Sequence, residues 1–160
     1  MPAPIDPCAE PAIRVATEGD VDGVLALVDR LTLFGPPAHR EVRRMAEVDR
    51  QVLAAAIADQ HAGQGVFVID GVAGIAAVLH MSTLVDYYHR RPNAHVSTLI
   101  VDAAAEGQGL GRRLLAHAEA WARGRGDDWM TLTVFPGNTR AVGLYERSGF
   151  VPDMPGSSSR

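Results

Sequence analysis

The sequence predicts one α/β domain in which strands and helices alternate, and three observations predict it. Residues 96–101 form a β-branched, apolar run that breaks at Asp102 and turns through Gly107, Gly109 and Gly111 into helical spacing. Residues 65–79 read as two apolar strands meeting at Asp70-Gly71, the strongest short hairpin signal in the chain. From residue 110 to residue 150, helical, strand and helical patterns follow one another with Gly and Pro at the joints. A length of 160 residues suits a single core.

In chain order, Pro2, Pro4, Pro7 and Pro11 make residues 1–11 an extended, flexible arm, and the folded domain is expected over 12–152. Ile13 to Val15 alternates as a first strand. Thr17-Glu-Gly-Asp20 has the form of a capping box, and Val21, Val24, Leu25, Val28 and Leu31 continue it as a helix. Gly35-Pro36-Pro37 ends that helix, and a second pattern runs from about His39 to Ala62. Leu33 and Phe34 beside the prolines read either as lid residues or as core at a helix end. After the hairpin, the polar and aromatic stretch from Tyr87 to Asn93 reads equally as an acceptor-side loop or as a solvated turn.

The helix after the glycines carries Leu110, Leu114, Leu115, Ala118, Trp121 and Ala122 on one stripe, so it packs on the sheet. Trp129, Leu132 and Val134 make the next strand, Asn138 is placed to cap a last helix, and Gly149 to close it. Phe150 should open a sixth strand. Two prolines and Gly-Ser-Ser-Ser follow, so residues 153–160 are expected as a flexible tail and a regular seventh strand is doubtful. A missing strand would expose a sheet edge, which makes a homodimer or strand exchange a reasonable expectation.

Composition narrows the function classes. Apolar residues at 47% and charged residues at 21% are ordinary for a globular chain. A net charge of -4 argues against nucleic acid and is compatible with a cationic acceptor. Cys8 stands alone, so no internal disulfide forms and a cytoplasmic location fits. No membrane span or signal peptide is expected. The six His and one Cys show no metal-ligand spacing, and no serine sits in a Gly-x-Ser-x-Gly elbow.

The glycine turn proposes an anion site, because the first amides of a helix lack internal partners and carry the positive end of its dipole. A Walker loop is excluded by Arg112 where Lys is required; all 15 basic residues are Arg. The dinucleotide fingerprint fails at Arg112 and at Leu114. What remains, Gly107-Gln108-Gly109-Leu110-Gly111 after Val-Ser-Thr-Leu-Ile-Val-Asp, resembles the pyrophosphate loop of the GNAT superfamily of acyl-CoA-dependent N-acyltransferases. Asn138-Thr-Arg-Ala141-Val-Gly-Leu-Tyr145-Glu-Arg-Ser-Gly149-Phe150 resembles that family's later motif, Asn-x-x-Ala-x-x-x-Tyr-x-x-x-Gly-Phe. The two motifs cover roughly residues 73–150.

The resemblance implies a three-layer α/β fold: a mixed, mainly antiparallel sheet of six or seven strands with helices on both faces. It implies direct transfer of the acetyl group of acetyl-CoA to a small-molecule or peptide amine, without metal. Amides from Gln108 through Gly109, Leu110 and Gly111 to Arg112 would cradle the pyrophosphate. Leu99, Ile100 and Val101 would bind the pantetheine arm through their main chain, with Asn138 and Tyr145 completing the cofactor site. The oxyanion donor would be the amide of Leu99 or Ile100, and Tyr145 would protonate the leaving thiolate. Positions where relatives carry a carboxylate hold Ser97 and Thr98, so His95 is the remaining candidate base, acting through water. Glu106 stands where the family carries Arg or Gln, against a pyrophosphate. Its carboxylate, the missing strand carboxylate at Ser97 and Thr98, and the short end after Phe150 together favour the alternative of a non-catalytic acyl-CoA-binding or interaction module.

Overall fold

The computed structural model describes residues 10–154 and 157–159. Seven strands form one sheet: β1 (Ile13–Val15), β2 (Gly65–Asp70), β3 (Ile75–Val85), β4 (Pro92–Val101), β5 (Met130–Thr133), β6 (Val151–Met154) and β7 (Ser157–Ser159). Their order is β1-β2-β3-β4-β5-β7-β6, antiparallel except where β4 runs parallel to β5. Four helices complete the layers: α1 (Val21–Leu25), α2 (Val42–Ala58), α3 (Leu110–Arg125) and α4 (Thr139–Arg147).

Strand alternation sends side chains to two separate cores. On one face Leu79, Met81 and Val96 pack with Leu110, Leu114 and Leu115 of α3 and Tyr145 of α4. On the other, Val66, Val68, Val78 and Ile100 pack with Val24 of α1 and Leu53, Ala56 and Ile57 of α2. The mainly antiparallel three-layer expectation therefore holds.

Local chemistry explains the joints. The capping box forms, with the Thr17 amide donating to Asp20 Oδ2 at 2.8 Å. Arg14 then donates to Asp20 and to Asp70, tying β1 and the capping turn to the end of β2. The single helix expected from Val21 to Leu31 is two pieces, α1 and a 3-10 turn over Val28–Thr32. The tighter turn carries Arg30 to the end of β4, where its Nε donates to the Val101 carbonyl at 2.8 Å. Helix α2 is shorter than the pattern from 39 to 62 suggested.

Two expectations about the ends need correction. Of the flexible tail expected at 153–160, Asp153 and Met154 extend β6, and Ser157–Ser159 lies between β5 and β6 as a seventh strand, while residues 155, 156 and 160 lie outside the described ones. Strand β5 would otherwise expose a row of unmet amides and carbonyls beside a buried face, and pairing them outweighs the poor strand propensity of serine. Pro152 is tolerated because β6 is the edge strand. The argument for a strand supplied by a second chain is thereby removed. Of the arm over 1–11, residues 1–9 lie outside the described ones. Arg113 holds Pro11, donating to its carbonyl at 2.6 Å.

Candidate functional site

The parallel pairing of β4 with β5 lasts only from Ala94↔Met130 to Val96↔Leu132. Beyond Val96, β4 continues to Val101 with β3 on one side and, among the described residues, no strand on the other. The register with β3 also slips there, from Met81↔Val96 to His80↔Thr98, so Ser97 is the extra residue of a bulge. A cavity of about 510 Å³ opens in this split and is lined from both faces of the sheet.

Backbone direction decides which strand residues can use the opening. The Asp102 amide donates to the Ala76 carbonyl at 2.8 Å, toward β3. Two-residue alternation then turns the Ile100 main chain toward β3 and the Leu99 and Val101 main chains toward the split. Ile100 is buried at 4% exposure in the α2-side core. Of the two residues considered as oxyanion donor, Leu99 is the one whose amide faces the cavity. The Val101 carbonyl faces it too, but already accepts from Arg30.

The glycine turn borders the same cavity. Gly107 and Gly109 have φ of 76° and 75°, and Gly109 is the N-cap of α3. A side chain at Gly109 would meet no neighbour, so the requirement there is conformational. Gly111 serves a different purpose: a Cβ would lie 3.0 Å from Leu144, so its absence lets α3 close on α4. The Arg113 amide is the first of the helix to bond inside it, to the Gly109 carbonyl at 3.1 Å, which leaves those of Leu110, Gly111 and Arg112 without intrahelical partners. Gln108 is exposed and its side chain does not line the cavity.

Asn138 caps α4, accepting from the Ala141 amide at 3.2 Å. The cap aims the helix so that Ala141, Leu144 and Tyr145 line the cavity. Tyr145 is 8% exposed, and burial pushes its phenol up to about 12, so it stays protonated at neutral pH. On the opposite wall the linker before α2 arches over: Gly35, at φ 74°, packs backbone to backbone on Gly137 so closely that a Cβ would lie 2.7 Å from its Cα. Phe34 lines the cavity at 52% exposure, and Leu33 is 58% exposed, so neither is core.

Charge is unevenly distributed. Glu106, the residue at odds with the glycine turn, is clamped by Arg140 at 2.7 Å and by Arg30. The Arg140 hydrogen bond, reinforced by Arg30, holds its carboxyl below the usual range. An anion beside the turn thus carries two guanidinium groups to it from distant segments. Arg112 and Arg147 also line the cavity and, among the described residues, form no ion pair. Arg113 is occupied by Pro11 and Glu10.

The geometry removes His95 from the role of nearest base. It does not line the cavity, its Nδ1 lies 2.8 Å from Thr131 Oγ1, and burial lowers its pKa. Behind it His80, 2% exposed, is pushed down to about 4 by burial and then by His95. The loop at Tyr87 and Tyr88 is solvated, with exposures of 72% and 86%, at the start of β4 and outside the cavity. Sequence reading missed Arg30, Asp49, Arg140 and Arg147. No motif marks them; each is a polar residue on a helix, and only packing turns it inward.

Comparison with known proteins agrees with the geometry. The model of the acetyltransferase (GNAT) family matches residues 31–150. Mycothiol acetyltransferase of Beutenbergia cavernae is 47% identical over 57 residues, 36% of this chain and 19% of that protein. The peptidyl-lysine N-acetyltransferase YjaB of Salmonella typhimurium is 39% identical over 56 residues, 35% of each chain. This chain therefore spans only a minor part of such relatives. Among solved structures, the PaiA N-acetyltransferase of Thermoplasma acidophilum in complex with coenzyme A superposes with a TM-score of 0.78 at 15% identity, over 95% of this chain and 99% of that one. The aminoglycoside N-acetyltransferase AAC(6')-Iy with CoA gives 0.68 at 17% identity, over 92% and 93%. At such identities the likeness establishes the fold.

Proposed function

Because this chain belongs to the GNAT acetyltransferase family, we propose that it transfers the acetyl group of acetyl-CoA directly to a primary amine, on a small molecule or a peptide. The observation that carries this reading is the split between β4 and β5, which brings free helix amides, a free strand edge and Tyr145 to one cavity. The amides of Leu110, Gly111 and Arg112 hold the diphosphate, with Arg112 and Arg147 as counter-charges. The Leu99 carbonyl accepts from the pantetheine arm, and the Leu99 amide donates to the thioester carbonyl oxygen as it gains charge. When the C–S bond breaks, Tyr145 gives its proton to the sulfur.

Glu106 fits this arrangement through its pairing. It is held by Arg30 and Arg140, so the mouth of the cavity carries cations that offset the carboxylate. With neither Ser97 nor Thr98 a base and His95 outside the cavity, deprotonation of the amine falls to water or to another lining group.

The experiment is CoA release from acetyl-CoA across a panel of amines, with product masses. Amine-dependent release with acetylated product supports the transferase. Tight acetyl-CoA binding without turnover on any amine supports the binding module, which the absence of a carboxylate at Ser97 and Thr98 favours.

A further inference from the structure

The cavity is lined by six charged side chains, Arg30, Asp49, Glu106, Arg112, Arg140 and Arg147. Glu106 is neutralised by Arg30 and Arg140. That leaves Asp49 as the lining carboxylate with no hydrogen bond or ion pair among the described residues. The cation next to it in sequence, Arg50, is turned away and engaged by Asp29 at 2.6 Å. Asp49 stands one helical turn after Met45, which lines the cavity too, on the face of α2 held in place by Ala46 and Leu53. It faces the split from the opposite side of the sheet to Tyr145 and the glycine turn.

A half-buried carboxylate without a partner is costly, and burial raises its pKa. A cationic ligand would remove that cost. The reacting nitrogen cannot be this cation throughout, since a paired ammonium has no lone pair with which to attack. We propose that Asp49 is the counter-ion of a second positive charge on the acceptor, so that the site selects a diamine-like substrate and disfavours one carrying a carboxylate or phosphate near the amine. The inference rests on the transferase reading and specifies its acceptor class. Cations lie around the glycine turn, where the diphosphate is held; the unpaired anion lies on the other wall, so the cavity is polarised between its two substrates.

The test compares 1,5-diaminopentane, pentylamine and 5-aminopentanoate as acceptors for the wild type and Asp49→Asn. The wild type should show a kcat/KM for the diamine about tenfold or more above pentylamine, with the amino acid poorest. Asp49→Asn should erase the diamine's advantage through KM, with acetyl-CoA affinity unchanged, and Asp49→Glu should restore part of it. Equal loss of kcat on all three acceptors would make Asp49 a base for the reacting nitrogen and overturn the proposal, as would an unchanged ranking. Should none of the three turn over, the transferase reading is decided separately by the wider amine panel. Calorimetry of the CoA-loaded protein with the diamine then decides on Asp49: binding lost in Asp49→Asn supports the counter-ion, and no difference refutes it.

Discussion

The two walls of the cavity offer a ligand different kinds of group. The wall made by α3, α4 and the free edge of β4 presents main-chain amides, and its chemistry depends on where the backbone is allowed to go. The wall made by α2, the 3-10 turn before it and the linker between them presents side chains, Arg30, Phe34, Met45 and Asp49. Backbone recognition constrains residue type at particular positions, because φ near 75° at Gly107 and Gly109 and close helix contact at Gly111 admit little else. Recognition by side chains on a helix constrains only direction, which packing decides.

The largest effect should come from the first wall's one reactive side chain. Tyr145→Phe is expected to lower kcat by roughly 10²-fold while acetyl-CoA affinity stays nearly unchanged. Burial raises the phenol to about 12, so its acid form persists and the wild-type profile should show no alkaline fall near pH 10 from this group. Unchanged turnover in the variant, measured by CoA release, would remove Tyr145 from the reaction and blur the contrast between the walls.

Next in size is the backbone itself. Gly109→Val must hold a β-branched residue at φ 75°, at a strain of roughly 1–2 kcal/mol, so either the turn or its amides move. Acetyl-CoA binding by calorimetry should weaken about tenfold with the thermal transition still cooperative. Full affinity would mean that main-chain amides do not carry the diphosphate.

The smallest effect tests the junction between the walls. Glu106→Gln removes a negative charge and frees Arg30 and Arg140, so acetyl-CoA should bind a few-fold tighter, with a steeper dependence on salt. Weaker binding would show instead that Glu106 is needed to hold the two arginines in place. Either result sharpens how an acidic residue is accommodated where relatives carry Arg or Gln.

The legibility of the site follows the same division. The Asn138 cap, the apolar stripe of α3 and the Asp70-Gly71 hairpin were readable because each depends on neighbours within a few residues. His95 is the nearest titratable group in the sequence, but where β4 and β5 part cannot be read there: His95 pairs with Thr131 before the split opens beyond Val96. A seventh strand is doubtful from sequence because Ser157–Ser159 has weak propensity of its own and pairs only where β5 offers an edge. Arg30 was invisible, since its partners Val101 and Glu106 lie far along the chain.

The sequence by itself determined the α/β class, the glycine turn and Tyr145 in its capped helix, because local spacing and backbone-restricted residues encode them directly. Only the tertiary structure decided that the amide of Leu99 rather than that of Ile100 faces the cavity, that Glu106 is neutralised, and that Asp49 stands unpaired among the described residues. Those outcomes depend on strand register and on helices brought together from distant segments, and the balance of charge among residues remote in the chain exists only once they are packed.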